Sequence, residues 1–340
     1  SKGILICKNL IPHSNTTLTN KDFTSIKKVY LSGITAAQSK VNLFEKKFKK
    51  YTQKENVELY SSGSSALYEL LLGLNIQPND RVLLPSYICS SVEKAILKCH
   101  AIPIYYDNEQ ESWISSFEQI SKKVTKNTKA IIVNHTFGIR YSFEEIRKIA
   151  NLNISIIEDC AHFISNKKED IEISNLFTAS FYSFNATKLL ATGEGGAVCT
   201  NDRDLAQEML KYKLDRGVSD LNAALGLSQL EQLDIFLEKR ERIANYYFEN
   251  LGDVVRYFKH RSSIYFRFPV FVKNNELFLR SKKVAFRKGV DELLHSSAQE
   301  TLLNVEKVFQ HTISIPIYPN LTKKQQAVVV NEFKRLNDEN

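Results

Sequence analysis

The sequence lacks most of the features that mark secreted, metal-binding or membrane proteins. Its five cysteines are scattered and form no Cys-x-x-Cys pair, which favours a reducing compartment over a disulfide framework. The seven histidines show no His-Glu-x-x-His or similar spacing, so the residues predict no metal site. No apolar run approaches membrane-spanning length, and the first residues lack the apolar core of a signal peptide. We therefore expect a cytoplasmic protein with no membrane segment.

Repeats and low-complexity linkers are also missing, and basic residues only moderately outnumber acidic ones. The chain has 340 residues, 43% of them hydrophobic, which is enough for one large domain and a smaller one. The formal net charge of +8 fits an anionic substrate and is weak evidence for nucleic acid. The basic runs at residues 45–50 and 280–283 are short and lie in helix-like patterns. Because no recognition motif accompanies them, we expect no nucleic-acid partner.

Short apolar segments alternate with amphipathic ones in the first two thirds of the chain. The helix-like patterns lie at residues 64–74, 90–99 and 143–150. The candidate strands are residues 57–60, 81–84, 102–106, 130–134, 154–158, 177–183 and 197–200. This alternation predicts an α/β fold with a mostly parallel, seven-stranded sheet that helices cover on both faces.

The last third has a different pattern. Residues 205–250 indicate mainly helix, 263–272 a strand, 277–288 a helix and 322–336 a final amphipathic helix. A boundary near Glu249 then divides the chain into a large α/β domain at 1–249 and a smaller C-terminal α+β domain at 250–340.

The first informative strand end is followed by residues 61–66, which contain Gly63 and Ser64 between further serines. Ligands in open α/β sheets gather at the carboxyl ends of strands. Glycine lets the backbone approach a ligand closely, and a helix that starts here offers free N–H groups and the positive end of its dipole, which suits a phosphate. The Gly-Lys-Ser/Thr of a Walker loop is absent. Considered alone, the segment is also explained by a plain serine N-cap.

The second strand end carries two acids, Glu158 and Asp159, with His162 shortly after them. A buried carboxylate needs a cation or a hydrogen-bond donor. An aspartate beside a pyridine nitrogen would keep that nitrogen protonated through charge pairing. From this segment alone, a helix cap or a structural ion pair is equally consistent, and His162 is typical of a satisfied core or loop histidine.

The third strand end leads to Lys188, which lies among apolar residues before a turn with Gly193, Gly195 and Gly196. A desolvated lysine has a lowered pKa and can act as a nucleophile or form an imine. The glycines permit tight backbone near a ligand. The usual alternative is a surface lysine that precedes a hairpin.

A fourth segment, residues 85–91, could form a wall over a flat ring, or could be an ordinary β-to-α loop. The combination is more specific than its parts. In chain order the sequence offers a phosphate-type turn, an acid at a strand end and then a lysine. These are the three anchors that a pyridoxal 5′-phosphate (PLP) enzyme needs, for the phosphate, the pyridine nitrogen and the aldehyde carbon.

These residues resemble the DegT/StrS family of PLP-dependent sugar aminotransferases, of PLP fold type I. The strongest motifs are residues 158–161 and 188–198, and supporting matches lie at 62–67, 222–230 and 315–322. The resemblance implies a transaminase that takes an amino group, usually from glutamate, and passes it to an anionic keto-sugar, usually linked to a nucleotide. It also implies a homodimer with shared active sites and, at the level of the family, a role in polysaccharide or other sugar biosynthesis.

The resemblance also implies roles for single residues. Lys188 matches the lysine that holds PLP and shuttles a proton, Asp159 the acid on the pyridine nitrogen, and His162 a residue against the ring. The further cofactor contacts that it implies are Gly63, Ser64, Ser65, Tyr87, Cys89 and Ser183. The residues that it suggests near the substrate are Glu194, Gly195, Arg216 and His295.

The sequence departs from the family pattern at two places. The family often has an aromatic residue that stacks on the cofactor where this chain has Cys89, so Tyr87 becomes the candidate to cover the ring. Asp215 and Arg216 stand where the family often has an Asn-x-Arg pattern that reaches into the partner's site, and a carboxylate there would repel a phosphate.

Three alternatives follow from these features. A degenerate or regulatory binding protein on this fold and a transaminase with a non-nucleotide acceptor both stay open. Related sugar dehydratases have histidine in place of the lysine, so Lys188 speaks against that reaction.

Overall fold

The computed structural model describes residues 10–36, 39–213, 217–259, 262–298 and 300–339. Within these residues, the strand order of the large sheet is β1-β7-β6-β5-β4-β2-β3. The strands are β1 (Asn56–Tyr60), β2 (Arg81–Pro85), β3 (Ile102–Tyr106), β4 (Thr128–Asn134), β5 (Ser155–Asp159), β6 (Ala179–Ser183) and β7 (Gly196–Thr200). Strand β7 runs antiparallel to both of its neighbours, and the other pairs are parallel. The predicted α/β fold with a mostly parallel, seven-stranded sheet is confirmed.

Helices cover the sheet, which explains why its central strands are apolar at consecutive positions. Ile131 and Ile132 in β4 point to opposite faces, and both are fully buried. The helices are α1 (Asn20–Ser32), α2 (Ser39–Thr52), α3 (Gly63–Gly73), α4 (Ser90–Lys98), α5 (Phe117–Ser121), α6 (Phe143–Ala150), α7 (Lys168–Ser174), α8 (Arg203–Leu210), α9 (Asp220–Asn250), α10 (Arg256–Lys259), α11 (Asn275–Leu279), α12 (Leu303–His311) and α13 (Lys323–Asp338). Several begin at serine or threonine caps, among them Ser62, Ser142 and Thr322.

The C-terminal part contains a two-stranded antiparallel sheet of β8 (Phe268–Phe271) and β9 (Thr312–Ile315). The predicted strand at 263–272 is therefore shorter than expected. The prediction of a helix over 277–288 is wrong beyond residue 279. The backbone of this segment bonds to distant parts of the chain, because Ile11 pairs with residues 283 and 285 and Arg287 pairs with Ser314.

One apolar cluster joins the sheet to the C-terminal part of the chain. It contains Ile132 of β4 together with Phe258, Phe268 and Phe333. The domain boundary near residue 249 stays a prediction. In the described ranges, no helix combines the length and the apolar composition that crossing a bilayer requires, and the cytoplasmic location also stays a prediction.

Candidate active site

A cavity of about 440 Å³ lies at the carboxyl ends of the parallel strands. Its lining combines residues that follow β1, β2, β4, β5 and β6 with a segment that precedes β8. Among the residues that line the cavity are Gly63, Ser64, Tyr87, Cys89, Asn134, Asp159, His162, Ser183, Lys188, Glu194, Gly195, Phe266, Arg267 and Gly289. A concave site of this size suits a small ligand or cofactor.

The start of helix α3 forms one end of the cavity. Ser62 caps the helix, because its Oγ accepts the N–H of Ser65 at 3.1 Å and its carbonyl accepts the N–H of Ala66. A Cβ on Gly63 would lie 2.9 Å from the Cβ of Ser183, so glycine is what lets the helix start approach the end of β6. In the described residues no bond uses the amides of Gly63 and Ser64, which leaves them for an anion at the positive helix end.

Ser65 stands behind this anion site instead of lining it. Its hydroxyl bonds to the hydroxyls of Ser62 at 3.0 Å and Ser61 at 3.3 Å.

A Cβ on Gly196 would lie 2.5 Å from the carbonyl carbon of Ser62. The start of β7 and the cap of α3 are therefore packed backbone to backbone.

Asp159 ends β5 and pairs in register with Asn134 of β4. Its side chain is buried and accepts a hydrogen bond from the N–H of Ala161 at 2.8 Å. Burial raises the pKa of Asp159 to about 6, although Lys188 acts in the opposite direction. A carboxyl group in this environment would be stabilised as the anion by a cation placed beside it.

The neighbouring acid, Glu158, is already satisfied by the protein. Its carboxylate contacts Nε2 of His135 at 3.1 Å and accepts the hydroxyl of Ser174 at 2.7 Å. Burial acts to raise its pKa, but His135, the charge of Lys54 and the hydrogen bond from Ser180 together outweigh that effect and lower the pKa to about 2. Glu158 is thus satisfied by protein partners, and Asp159 is the acid that is available to a ligand.

Lys188 lies in the connection between β6 and β7. The backbone of this connection turns at Lys188, whose N–H bonds to the carbonyl of Asn185, and Asn222 of α9 fixes it by donating to the carbonyl of Thr192. The Nζ of Lys188 lies 5.4 Å from the centroid of the Phe266 ring. Burial lowers the pKa of Lys188, with Asp159 opposing the shift, so a larger fraction of the amine is neutral and nucleophilic.

His162 stacks on Phe266, with ring centroids 4.2 Å apart and an angle of 19° between the planes. Burial lowers the pKa of His162 well below its usual value, and the charge of Lys188 adds to the effect. The imidazole is therefore neutral at pH 7. It supplies a flat, uncharged surface in the wall of the cavity.

Tyr87 and Cys89, the two predicted cofactor contacts after β2, both line the cavity, but in different ways. The ring of Tyr87 is buried and makes edge contacts with Phe137 and Phe309, and its hydroxyl donates to the carbonyl of Lys288. Tyr87 is therefore a fixed part of the wall. Cys89 is exposed.

The predicted substrate residues do not all come together. Glu194 and Gly195 line the cavity, whereas Arg216, like Asp215, lies outside the described residues. His295 is buried elsewhere, with Nδ1 at 2.6 Å from Oγ of Ser86 and Nε2 at 3.2 Å from a carboxylate oxygen of Glu306. His295 is not among the described residues that line the cavity. The position of His295 therefore does not support the predicted contact with substrate.

The lining residues that were missed from the sequence include Asn134, Phe266 and Arg267. Asn134 ends β4, so the rule that ligands gather at strand ends could have found it. Phe266 and Arg267 fell inside a predicted strand, and no local signal marks them as cavity residues.

The residues present fit the cofactor expected from the sequence. The Oδ1 of Asn134 is buried without a hydrogen-bond partner in the described residues, and a ligand hydroxyl would satisfy it. Asp159 would hold the ring nitrogen, Lys188 the aldehyde carbon, and the helix start at Gly63 and Ser64 the phosphate.

Known proteins are similar to this chain over most of its length. The DegT/DnrJ/EryC1/StrS aminotransferase family matches residues 16–334. GDP-perosamine synthase of Escherichia coli O157:H7 is 30% identical over 273 residues, which cover 75% of each chain. The 3-oxo-glucose-6-phosphate:glutamate aminotransferase of Bacillus subtilis is 25% identical over 327 residues, covering 84% of this chain and 73% of the relative.

Solved structures share the fold. The crystal structure of NtdA from Bacillus subtilis with bound cofactor PMP superimposes with a TM-score of 0.85 at 23% identity and covers 94% of this chain and 83% of its own. The PMP in that structure agrees with the cofactor predicted for this chain. The match to the family extends over almost the whole sequence and confirms the predicted enzyme class. This chain belongs to the DegT/DnrJ/EryC1/StrS aminotransferase family.

Proposed function

We propose that this protein is a PLP-dependent sugar aminotransferase that moves an amino group from an amino acid, glutamate in the first instance, to a keto-sugar. The observation that carries the proposal is that three anchors of different chemistry line one cavity. Lys188 has a depressed pKa, Asp159 is a buried acid with one backbone donor, and the amides at the start of α3 are free within the described residues.

The residues of this chain divide the work of the reaction. Bound PLP supplies an electron sink that stabilises negative charge on the carbon bearing the amine. Asp159 keeps the proton on the pyridine nitrogen, because an anion buried beside that nitrogen favours its charged form. The Nζ of Lys188 would take the proton from the substrate carbon that bears the amine and deliver it to the former aldehyde carbon of the cofactor. Gly63, Ser64 and Ser183 would hold the phosphate.

Aromatic side chains form part of the cavity wall. His162 and Phe266 are stacked, and Tyr87 is fixed by its bond to Lys288 and by Phe137. Fixed aromatic walls of this kind can orient a flat ring. The exposed sulfur of Cys89 leaves the cavity wider at that point than an aromatic side chain would.

The acceptor that we favour is a keto-sugar linked to a nucleotide. A relative that is 30% identical is named GDP-perosamine synthase, and the formal charge of +8 suits an anionic acceptor. The second candidate is a keto-sugar phosphate without a nucleotide. The relative named 3-oxo-glucose-6-phosphate:glutamate aminotransferase supports this candidate and also supports glutamate as the donor.

We also propose that the working form is a homodimer. Helix α1 exposes three large side chains, Phe23, Tyr30 and Leu31, each with 66–71% of its surface accessible. Such a group of exposed apolar residues is typical of an interface. Sedimentation of the wild-type protein and of Tyr30→Glu tests this, because the variant should shift to the monomer, and a wild-type protein that sediments as a monomer would reject the dimer.

The proposed activity is tested by spectroscopy of the purified chain. With PLP added, the protein should show a visible band that borohydride reduction fixes to the chain and that L-glutamate abolishes. Lys188→Ala should lose the fixation, while Lys211→Ala, which changes a surface ion pair, should keep it. Protein that stays colourless with PLP would favour the degenerate or regulatory binding protein instead.

A further inference from the structure

A second cation, Arg267, lines the same cavity as Lys188. The guanidinium carbon of Arg267 is 4.7 Å from the centroid of the Phe266 ring, and the Nζ of Lys188 is 5.4 Å from the same centroid. The charge of Arg267 contributes to the lowered pKa of Lys188. A ligand that extends from Lys188 past Phe266 can therefore also meet a guanidinium group.

Arg267 has no anionic partner within the part of the chain that the structure describes. The ion pairs found there do not involve it, and neither do the side-chain hydrogen bonds. The charges that act on it are positive, and burial followed by the charge of Arg287 lowers the pKa of Arg267 to about 10. The group is still protonated at pH 7. Arg267 is half-buried, and a guanidinium without a carboxylate partner keeps its N–H donors available to a ligand.

The backbone around Arg267 is firmly held. Nη1 of the buried Arg240 donates to the carbonyls of Phe266 at 3.2 Å and Ile317 at 2.8 Å. The N–H of Arg267 donates to the carbonyl of Phe137 at 3.2 Å. The backbone of Arg267 is thus fixed, and packing of its guanidinium on the Phe266 ring restricts the side chain, which lowers the entropic cost of binding an anion.

The cofactor already has a site for its own phosphate. The start of α3 presents two free amides and a positive dipole end beside Ser183. With the cofactor phosphate assigned to the start of α3, a substrate oxyanion is the ligand that best matches the guanidinium of Arg267. In a transaminase, the amino donor carries carboxylates and the acceptor that we favour carries phosphate.

We propose that Arg267 binds an oxyanion of a substrate, a carboxylate or a phosphate, and so orients the reacting carbon towards Lys188. The planar fork of five N–H donors matches either group through two parallel hydrogen bonds. This inference rests on the proposed transaminase function. It makes Arg267 a specificity-determining residue in a position that the sequence motifs do not cover.

The test compares Arg267→Gln and Arg267→Lys with a matched control, Arg280→Gln, which removes an exposed arginine outside the cavity. PLP-loaded full-length protein is mixed with L-glutamate, and the absorbance change gives an apparent Kd and a limiting rate. Glutarate and inorganic phosphate serve as inhibitors that probe the two kinds of oxyanion. The PLP affinity and the thermal unfolding midpoint are measured on the same samples.

We expect Arg267→Gln to weaken oxyanion binding by about 10- to 100-fold, with Arg267→Lys between it and the wild type. A loss of glutarate and glutamate binding alone identifies the donor carboxylate, and a loss of phosphate inhibition alone identifies the acceptor phosphate. The limiting rate should fall as well, because a substrate that is no longer held by its oxyanion is less well oriented towards Lys188. PLP affinity and the behaviour of Arg280→Gln should stay within about twofold of the wild type.

Two outcomes overturn the proposal. One is that all inhibitor and donor constants of a folded Arg267→Gln stay within twofold of the wild type. The other is that PLP affinity falls while the substrate constants do not, which would assign Arg267 to the cofactor. If the wild-type protein fails to bind PLP, the transaminase proposal fails instead, and calorimetric titration with glutarate and phosphate still shows whether Arg267 binds an oxyanion.

Discussion

Glu158 and Asp159 are consecutive acids at the end of β5 with opposite environments. Glu158 contacts His135, Ser174 and Ser180, whereas Asp159 accepts one bond from the N–H of Ala161. Because successive side chains in a strand point to opposite faces, one acid serves the packing of the sheet and the other faces the cavity. The same physical difference lowers the pKa of Glu158 and raises that of Asp159.

Replacement of the available acid should slow the reaction without harming the fold. Asp159→Asn removes the anion beside the pyridine nitrogen, and we expect the half-reaction with L-glutamate to slow by about 100-fold or more. The single-turnover absorbance change measures this rate. Asn can still accept the N–H of Ala161, so the unfolding midpoint should hardly change. An unaltered rate would show that Asp159 does not act on the pyridine nitrogen.

The raised pKa of Asp159 also predicts a pH dependence of stability in the protein without PLP. A carboxyl group whose pKa is higher in the folded state than in the unfolded state opposes folding once it ionises. The resulting loss of unfolding free energy is absent below about pH 4 and complete above the folded-state pKa of about 6.

Relative to Asp159→Asn, the wild-type protein should therefore gain about 2–3 kcal/mol of unfolding free energy as the pH falls from 7 to 4. Urea unfolding of both proteins at several pH values measures the difference. Bound PLP should abolish the trend, since a cation then stabilises the ionised carboxylate. Parallel curves for the two apo proteins would show that the burial of Asp159 has no such energetic effect.

The anion site at the start of α3 should not tolerate a larger residue. A methyl group on Gly63 would meet the Cβ of Ser183 at 2.9 Å, so Gly63→Ala must displace the helix start or the end of β6. We expect the affinity for PLP to fall by at least about 10-fold, because the charge-assisted bonds to the phosphate depend on this geometry.

Ser65→Ala is the control for that change, since its hydroxyl bonds to other serines behind the cavity. Its PLP affinity should stay within about threefold of the wild type, as one neutral hydrogen bond contributes little. Spectral titration with PLP measures both variants. Equal losses of PLP affinity in Gly63→Ala and Ser65→Ala would show that the phosphate binds elsewhere.

His295 should matter for stability more than for substrate. His295→Gln breaks its two-sided contact with Ser86 and Glu306 in a buried position, which should cost about 1–3 kcal/mol of unfolding free energy. The kcat/KM for the amino donor should change by less than about threefold. A raised KM in a protein of unchanged stability would restore the substrate contact expected from the family resemblance.

The parts of the site that could be predicted are those encoded by local patterns. Gly63, Asp159 and Lys188 each follow an apolar strand, and parallel strands bring their carboxyl ends together. The same reasoning placed the strands of the large sheet within a few residues of their positions. The alternation of apolar runs carries this information without any knowledge of distant contacts.

The parts that could not be predicted depend on distant contacts. Residues 280–288 have a helix-like pattern, yet their backbone bonds to Ile11 and Ser314. Arg267 reaches the cavity because Arg240 and Phe137 hold the segment before β8 against the sheet. In both cases the decisive partners lie far away in the chain, and local propensity has no access to them.

The antiparallel strand β7 determines which parts of the site can vary independently. Ser183 at the end of β6 pairs with Gly196 at the start of β7. The connection that carries Lys188 therefore leaves the sheet and returns to it at the same end of the strands. The three cofactor anchors thus all belong to one hydrogen-bonded framework, while Arg267 comes from a separate segment near β8. A lineage could exchange the residues around Arg267, and with them the preferred substrate, while the inherited chemistry of the cofactor stays intact.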